Sequence, residues 1–538
     1  MNELLLILPL ALPLLVIPLV LQPAGAKWLA IAPVPALLAG LTVPTGSSLS
    51  LSWLLLGTHL HFDETSRLFM LFGSMVWLLG ALYFILGRTE EASRPGFKTC
   101  FLLAMSGYMV LILAADMLTF YLGFALMGLS AYGLLLRGSQ RSRSAGRVYL
   151  TFTLVGELAL FTAIVVLYAT VDSLLFADLA RQPLPDVAIA LLVFGFGIKL
   201  ALPGLHFWLP AAYSVAPIVG VAVLSGPMMK AGLLGWVRFI PAGAEETAAW
   251  GDALIALGTL GVLLGVFAGV MQHRPRTLLA YSSITKMGAI SAFFGAALTQ
   301  PHQAHAIIAA LIILAMHHLL VKPMLFLGVD LRERGLSGRW TIAGLFLLAL
   351  SLASAPLTGG NAAKLLTGLA LDGKLQWLLT LSAIGTTMLM ARFIWLLLQQ
   401  RREKAASRPA PILLWLCFLP IAVWGPFTPD QLTLDLASIG PLVIGIALFG
   451  LGGMVLRRRQ TMTMRLSLPN PFSVRTFSRT SISPLRLLPK GEKPVRPVLS
   501  KTWLSGPALD GDQTGLAWPG LWWFVSMVIL LGALMLPV

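Results

Sequence analysis

The sequence predicts an all-α integral membrane protein with about sixteen transmembrane helices. Two observations support this class. First, 57% of the 538 residues are hydrophobic and only 11% are charged, whereas roughly one quarter are charged in a soluble domain. Second, apolar runs near the ~20 residues that cross a hydrocarbon core recur along almost the whole chain. They are continuous instead of alternating, which favours helices over barrel strands. A water-soluble fold is therefore excluded.

The apolar runs are assigned to spans in chain order. The first, at residues 3–21, has no basic segment before it, so we expect a retained helix and not a cleaved signal peptide. The last, at residues 519–537, begins among three tryptophans, which is typical of a span anchored at the membrane interface. Between them, spans are predicted at residues 27–45, 66–87, 98–115, 117–137, 147–170, 185–210, 215–239, 249–272, 277–297, 303–328, 340–370, 375–399, 410–426 and 438–456.

Basic loops fall on alternate connections, as the positive-inside rule requires. Arginine and lysine clusters follow the predicted fifth, ninth, eleventh, thirteenth and fifteenth helices, and the intervening loops carry acidic residues with little positive charge. The pattern predicts a bacterial inner membrane protein with its basic loops inside and both termini on the outer side. It also attributes the net charge of +16 to membrane orientation, so no nucleic-acid partner is expected.

The chain also contains segments outside the central apolar region. The connector at 457–515 is rich in Pro, Ser and Arg, so we expect an irregular basic segment on the inner face. It either contacts anionic lipid or a partner subunit, or serves only as a flexible link. The segments are N-terminal helices (1–97), additional helices (400–456), the connector (457–515) and a C-terminal helix (516–538).

Two lysines lie inside apolar spans next to prolines. A charged side chain at the bilayer centre costs at least ~2.5–3.5 kcal/mol on insertion scales, so each one is a candidate functional residue. Lys199 precedes Pro203, which must interrupt the helix close to the ammonium group. A broken helix beside a buried charge is typical of ion sites in transporters. Lys230, in the next span, also follows a proline. The alternative for both lysines is snorkelling to an interface.

Glu157 is the only carboxylate well inside an apolar span of the sequence. A buried acid that lies near an ammonium group can change its protonation at accessible pH, which a proton relay requires. We therefore predict that Glu157 acts together with Lys199. The alternative is a structural ion pair, or a residue that faces a small aqueous cavity.

A later span carries two histidines and a lysine in the phrase "MHHLLVKPMLF". His318 and Lys322 are four residues apart and so lie on one helical face. His317 and His318 are plausible proton carriers because imidazole titrates near neutrality. The alternative, of equal weight, is that they are hydrogen-bonded core residues.

A second broken helix is predicted in the phrase "SAPLTGGNAAK". Pro356, Gly359 and Gly360 interrupt the helical pattern shortly before Lys364. Two interrupted helices that each lead to or from a lysine suggest two related halves of the chain.

The sequence offers no self-contained active site. No set of His, Cys or carboxylate residues has metal-ligand spacing, and no phosphate-binding loop or serine-histidine-carboxylate set is evident. Cys100 and Cys417 are too few for a disulfide framework or an iron-sulfur cluster. We therefore expect no metal and no cofactor in this chain, and any electron transfer must occur in other subunits.

Several phrases occur in an order that resembles a known family. They are "FDETSRLFMLF", "KLALPGLHFWLPAAYSVAPIVGVAVLSGPMMKAGLLGWVR", "RTLLAYSSITKMG", "HHLLVKPMLFLGV" and "SAPLTGGNAAK". Together they resemble the antiporter-like subunits of respiratory complex I, of Mrp cation/proton antiporters and of membrane-bound hydrogenase or formate hydrogenlyase complexes, with the nearest resemblance to the quinone-distal complex I type. The resemblance implies two inverted five-helix repeats at about residues 98–239 and 249–399.

The resemblance also implies roles for individual residues. Lys199 matches the family's central protonatable lysine, Lys230 the lysine that passes protons onward, and Lys364 the lysine of the exit half-channel. Glu157 stands where the quinone-distal subunit has an acid. One departure is important: Ala125 stands where the family has a glutamate paired with the central lysine. Either Glu157 replaces that glutamate or the chain pumps poorly.

The leading hypothesis is therefore a proton-translocating, antiporter-like subunit of a complex-I-like assembly. Expected partners are the lipid bilayer and other membrane subunits, with or without soluble subunits on the inner face. One alternative is the proton path of a bicarbonate-accumulating complex with a soluble zinc protein as partner, and another is a structural subunit that has lost transport. The sequence does not distinguish protons from sodium or potassium. The predicted relay consists of Lys199, Lys230, Lys364 and Glu157, assisted by His206, His317, His318 and Lys322.

Overall fold

The computed structural model describes residues 2–463, except for residues 23, 55, 88–94, 337, 372, 401–408, 426 and 428–430. One compact unit covers Met1–Phe449, and the described part of the second unit, which begins at Gly450, is the end of a single helix. The predicted C-terminal span and most of the predicted basic connector lie outside the described residues.

Helices make up most of the described chain. In order they are α1 (Asn2–Leu15), α2 (Ile17–Val20), α3 (Trp28–Ile31), α4 (Val34–Thr42), α5 (Glu64–Gly87), α6 (Pro95–Leu113), α7 (Met117–Leu135), α8 (Gln140–Val171), α9 (Phe176–Leu179), α10 (Asp186–Lys199), α11 (Trp208–Val215), α12 (Ile218–Val223), α13 (Met229–Phe239), α14 (Ala248–Val270), α15 (Pro275–Thr299), α16 (Ala304–Glu333), α17 (Arg339–Leu352), α18 (Gly359–Ala370), α19 (Gln376–Gln399), α20 (Pro409–Trp424) and α21 (Ile439–Thr463).

Ten helical segments of the described chain are long and apolar enough to cross a membrane. Some are single long helices, such as α5 and α16, and others join short ones, as in Glu3–Val20. The helices α17 and α20 are apolar but shorter. The prediction of a multi-pass, mostly helical membrane protein is therefore confirmed, whereas the number of sixteen spans and the inverted repeats stay predictions.

The all-α prediction missed one β-hairpin. Strand β1 (Ser47–Leu51) pairs with strand β2 (Thr58–Phe62) in antiparallel register, and Leu60 forms an isolated bridge with Ala114. Alternate side chains of β2 are buried, which is the period of a strand. The sequence prediction relied on continuous apolar runs, so it did not detect this alternation.

The last described helix is longer than predicted. The span was predicted to end at residue 456, but α21 continues to Thr463. Its final residues, "RRRQTMT", contain no proline or glycine, and arginine, glutamine and methionine favour helices. The connector predicted at 457–515 therefore begins as helix.

The first helix interruption separates α10 from α11. The chain is non-helical between Lys199, the last residue of α10, and Trp208, the first residue of α11. Pro203 lies in this segment and has no backbone N–H to continue the helix. Ala201 adopts φ 55°, a strained conformation for a residue with a side chain. The interruption leaves Lys199 at a helix end inside the protein.

The second interruption separates α17 from α18. It contains Pro356 and two non-glycine residues with positive φ, Ser354 at 60° and Leu357 at 61°. Any side chain at Gly360, in the first turn of α18, would meet a backbone carbonyl, because a Cβ there would lie 1.7 Å from the oxygen of Ser351. The glycine is thus required for α18 to pack against the end of α17.

An ion pair joins the start of α5 to the end of α13. Arg238 donates from both terminal guanidinium nitrogens to Asp63, at 2.5 and 2.9 Å, and one nitrogen also donates to Ser66 Oγ at 3.1 Å. Burial raises the pKa of Asp63, but the hydrogen bonds and charge of Arg238 outweigh burial and bring this pKa to about 2. The pair therefore stays ionised at neutral pH.

Candidate functional site

Lys199 is buried at the end of α10, with 4% of its surface exposed. Its Nζ donates to the hydroxyl of Tyr149 at 3.1 Å, and that hydroxyl donates to the carbonyl of Gly128 at 2.9 Å. The Nζ also lies 5.5 Å from the ring centroid of Phe124 and 5.4 Å from that of Tyr149. The ammonium group is thus held by aromatic rings and one hydroxyl.

Glu157, on α8, faces the same cavity as Lys199. Only 5% of Glu157 is exposed, and neither carboxylate oxygen has a hydrogen-bond partner among the residues that the structure describes. The cavity is also lined by Tyr149 and Thr153, and its volume of ≈ 10 Å³ is close to that needed by one water molecule. The acid and the lysine therefore share a cavity without a direct hydrogen bond.

Gly128, on α7, keeps this space open. A Cβ at this position would lie 2.8 Å from Glu157 Oε1 and 3.8 Å from Lys199 Nζ. Ala125 is one helical turn before Gly128, so the two positions share a face of α7. The acid from α8 thus approaches the face of α7 on which the resemblance places a glutamate.

Pro203 and His206 lie in the interruption between α10 and α11. His206 is 7% exposed, and its Nδ1 has no hydrogen-bond partner within the described chain. The indole N–H of Trp208 donates to the carbonyl of Ile198 at 2.8 Å, so it satisfies an acceptor at the end of α10. The assisting role of His206 stays a prediction.

Lys230, on α13, follows a distorted turn that the sequence did not indicate. A π-helical turn covers Leu224–Met228, and within it Gly226 has non-helical angles (φ −80°, ψ −107°). Lys230 is fully buried, and its Nζ donates to the carbonyl of Ser225 at 2.5 Å. The ammonium group thus binds a carbonyl at the turn, inside the protein.

The three predicted relay residues of α16 have different surroundings. The Nζ of Lys322 donates to the carbonyl of Leu279 on α15 at 2.8 Å. His317 Nε2 lies 2.8 Å from Ser351 Oγ, at the end of α17. Both ring nitrogens of His318 are buried, and neither has a hydrogen-bond partner in the described part of the chain. His317 therefore fits the hydrogen-bonded core alternative, and His318 does not.

Lys286, on α15, is a candidate that the sequence analysis did not select. It is 7% exposed and lines a second cavity of ≈ 10 Å³ together with Lys364, Ser354 and Ser382. The selection was limited to lysines near a proline, and α15 has no proline beyond its first turn. The position of Lys286 inside an apolar span was a sufficient signal.

Lys364, on α18, is half-buried, and its ammonium group is hydrogen-bonded to a residue outside this helix. Its Nζ donates to Ser438 Oγ at 3.2 Å. That hydroxyl lies 2.5 Å from Asn361 Oδ1 and 2.6 Å from Asp435 Oδ2, and either oxygen can accept its proton. Gly359 and Gly360 precede the lysine, and a Cβ on either would crowd the ring of His317 at 3.2 or 3.0 Å.

The structure divides the predicted relay into groups. One contains Lys199 and Glu157, which share a cavity. A central group surrounds His318, which lies within electrostatic range of Lys230, Lys286, Lys322 and His317. Lys286 also connects this central group to Lys364, because the two lysines line the second cavity. No group of three or more His, Cys, Asp or Glu side chains that could hold a metal occurs in the described chain.

Comparisons with known proteins show which family the chain resembles. Residues 114–390 match the family profile described as "NADH:quinone oxidoreductase/Mrp antiporter, TM". Hydrogenase-4 component B of Escherichia coli (strain K12) is 27% identical over 332 residues, which cover 56% of this chain and 49% of that protein. NADH-quinone oxidoreductase subunit N of Deinococcus radiodurans is 30% identical over 234 residues, which cover 41% of this chain and 47% of that protein. The aligned region thus spans about half the length of these relatives.

A solved structure shows the same fold. The chain resembles one in the membrane-bound sulfane sulfur reductase, an archaeal respiratory membrane complex, with a TM-score of 0.68 and 21% identity. The superposition covers 83% of this chain and 98% of that chain. At this level of identity the likeness concerns the fold alone. The similar proteins are subunits of multisubunit membrane complexes.

Proposed function

Because the chain belongs to the NADH:quinone oxidoreductase/Mrp antiporter membrane family, we propose that it carries protons along its buried lysines as one subunit of a complex-I-like assembly. Its partners are other membrane subunits, and the energy for transport comes from chemistry elsewhere in the assembly. The charged loops support a bacterial inner membrane location with both termini on the outer side.

The shared cavity of Lys199 and Glu157 carries this proposal. A protonated lysine and an ionised carboxylate attract each other across the cavity, and one bridging water suffices for proton exchange between them. Neither oxygen of Glu157 is committed to another described group, so the acid is available for this exchange. In this chain Glu157 takes the place of the glutamate that Ala125 replaces.

The central basic group supports onward transfer. His318 lies within electrostatic range of Lys230 and Lys286, so a proton on one of these groups disfavours a proton on the next. Lys286 then faces Lys364 across the second cavity. Redox or ion-binding steps elsewhere in the assembly change the charge at one end of this series of buried residues. Protons then move between neighbouring members of the series. The relay comprises Lys199, Glu157, Lys230, His318, Lys286 and Lys364.

The test is the substitution Lys199→Ala in the intact complex. Purified complex is reconstituted in sealed vesicles, a potassium diffusion potential is imposed, and proton movement is followed with a pH-sensitive dye. We expect normal assembly and a fall of about tenfold or more in proton movement, because the central protonatable group is lost.

Lys98→Met is the matched control. Lys98 is also a buried lysine, but its Nζ donates to the carbonyl of Val20, away from both cavities. Its substitution should alter stability more than transport by the assembled complex. If Lys199→Ala assembles and transports like the wild type, the relay is wrong and the chain is a structural subunit.

A further inference from the structure

The loop between α20 and α21 lies against the second helix interruption. The backbone N–H of Leu357, inside the interruption, donates to the carbonyl of Thr433 at 3.3 Å. The indole N–H of Trp424, at the end of α20, donates to the carbonyl of Leu357 at 3.0 Å. The described residues of this loop therefore contact the segment that leads into α18 and Lys364.

Asp435 is an acidic residue of this loop that belongs to the hydrogen-bond network of Lys364. Its Oδ1 accepts from the N–H of Ala437 at 3.0 Å, and its Oδ2 lies 2.6 Å from Ser438 Oγ. Ser438 is 1% exposed, and its hydroxyl accepts from Lys364 Nζ at 3.2 Å. One hydroxyl thus connects a loop carboxylate to the ammonium group of a lysine on α18.

The charges around Lys364 are arranged asymmetrically. On the α15 side, across the second cavity, it faces Lys286, which is also basic. On the loop side it faces Asp435, whose charge acts on it through space. Repulsion from the first and attraction to the second both favour a protonated Lys364 displaced toward the loop.

We propose that Asp435 is a positioning residue for Lys364, which acts through Ser438 to hold the protonated lysine toward the outer face and so sets the release of its proton. The proposal rests on the proposed function of the chain. The proton leaves Lys364 Nζ for water at the outer face, and the neutral lysine accepts the next proton from Lys286. Asp435 stays ionised throughout and is not itself a carrier.

The protonation of Asp435 is consistent with this role. The hydrogen bond from Ser438, the N–H of Ala437 and the charge of Lys364 hold the pKa of Asp435 below its ordinary value of 3.8. The carboxylate therefore remains negative over the whole neutral range. A fixed negative charge at the end of the path attracts successive protons without trapping them.

The experiment compares Asp435→Asn, Asp435→Glu and Ser438→Ala in the intact complex in sealed vesicles. Proton transport is measured with a pH-sensitive dye as a function of the outer pH. We expect Asp435→Asn and Ser438→Ala to slow transport about tenfold, the effect of losing a charge-assisted hydrogen bond. Their dependence on outer pH should shift toward lower pH, because the protonated form of Lys364 is less stabilised. Asp435→Glu should restore most of the rate.

Asp178→Asn is the matched control. Asp178 also accepts a hydrogen bond from a loop serine, Ser173 Oγ at 2.6 Å, but no lysine is joined to this pair in the described structure. Its substitution should leave the rate and the pH dependence unchanged. A general effect of removing a carboxylate–serine pair would appear in this variant as well.

Lys364→Ala separates the two proposals. If Lys364→Ala abolishes transport whereas Asp435→Asn and Ser438→Ala transport normally, the positioning role is wrong and the proposed function stands. If all of them transport normally, the proposed function itself fails. If Asp435→Asn does not assemble, Ser438→Ala decides, because it keeps the loop charge and removes only the link. An unchanged pH dependence in Ser438→Ala would overturn the inference.

Discussion

The two ends of the proposed path place an acid near a lysine in different ways. At the first, Lys199 faces Glu157, which lies on the membrane helix α8, is 5% exposed and has no described hydrogen-bond partner. At the second, Lys364 is joined to Asp435, which lies on a loop and is hydrogen-bonded through both oxygens. The acid at the first site is thus buried without a described hydrogen-bond partner, whereas the acid at the second site is near the surface and is held by two hydrogen bonds.

This difference suggests a division of roles. A buried acid without partners can gain or lose a proton, because neither form is fixed by hydrogen bonds. A surface acid that accepts two hydrogen bonds remains ionised and provides a constant charge. The first site is thus suited to proton exchange within the membrane, and the second to release at one face.

Among the substitutions that test this comparison, Glu157→Gln should lower transport the most. The amide preserves the size of the side chain but cannot exchange a proton, so we expect transport to fall about tenfold or more. Transport is measured by dye quenching in vesicles that contain the intact complex. Glu246→Gln, at an exposed position, is the control and should transport normally. Normal transport by Glu157→Gln would show that the buried acid, like Asp435, serves only as a charge or a packing element.

The substitution Ala125→Glu in the Glu157→Gln background should partly reverse that loss. Position 125 shares the face of α7 with Gly128, where a Cβ would lie close to both Glu157 and Lys199. An acid supplied from α7 should therefore reach the same cavity, and we expect recovery of severalfold relative to Glu157→Gln alone, measured in the same vesicle assay. Ala125→Gln in the same background is the control. Equal recovery with both residues would mean that volume, and not charge, is restored.

The sequence predicted the elements of the first site well. Lys199, Pro203 and Glu157 each stood out because charge or proline is costly inside an apolar span. We inferred that Lys199 and Glu157 act together because a proton relay requires an acid near an ammonium group, although most of two helices separates them in the sequence. The structure places them at one cavity.

The second site was less accessible to sequence analysis. Lys364 was selected, but Ser438 and Asp435 lie more than seventy residues later, in a loop where acidic residues are ordinary. No local pattern connects a loop carboxylate to a distant lysine, because tertiary contacts between the α20–α21 loop and the segment before α18 bring them together. The π-helical turn at Gly226 was missed because apolar content does not distinguish it from regular helix, and the β-hairpin was missed because only continuous apolar runs were assigned to elements.

The substitution Gly128→Ala should have a smaller effect, confined to the first site. A Cβ would lie 2.8 Å from Glu157 Oε1, so the carboxylate must move by several tenths of an ångström to avoid it. We expect transport to fall about threefold, by less than removal of the acid, because a shift of position lowers the rate without removing the group. Gly80→Ala is the control, since a Cβ there would make only ordinary contacts of 3.5 Å or more. A loss equal to that of Glu157→Gln would indicate that helix packing is disrupted.

The substitution Asp63→Asn should have the smallest effect on transport and should change stability instead. The pKa of Asp63 is lowered from 3.8 to about 2 in the folded chain, so its ion pair with Arg238 stabilises the fold above pH 3.8 and loses this contribution as the pH falls toward 2. Because the side chain of Asp63 is 31% exposed, we expect a loss of about 1–2 kcal/mol at neutral pH. Thermal unfolding in detergent should show a lower midpoint for Asp63→Asn at pH 7, and the difference from the wild type should shrink below pH 3.8. The ion pair lies in neither cavity. If Asp63→Asn lowers transport as strongly as Glu157→Gln does, then the losses at the two lysine sites reflect general destabilisation. In that case the contrast between an exchanging and a fixed acid has no basis.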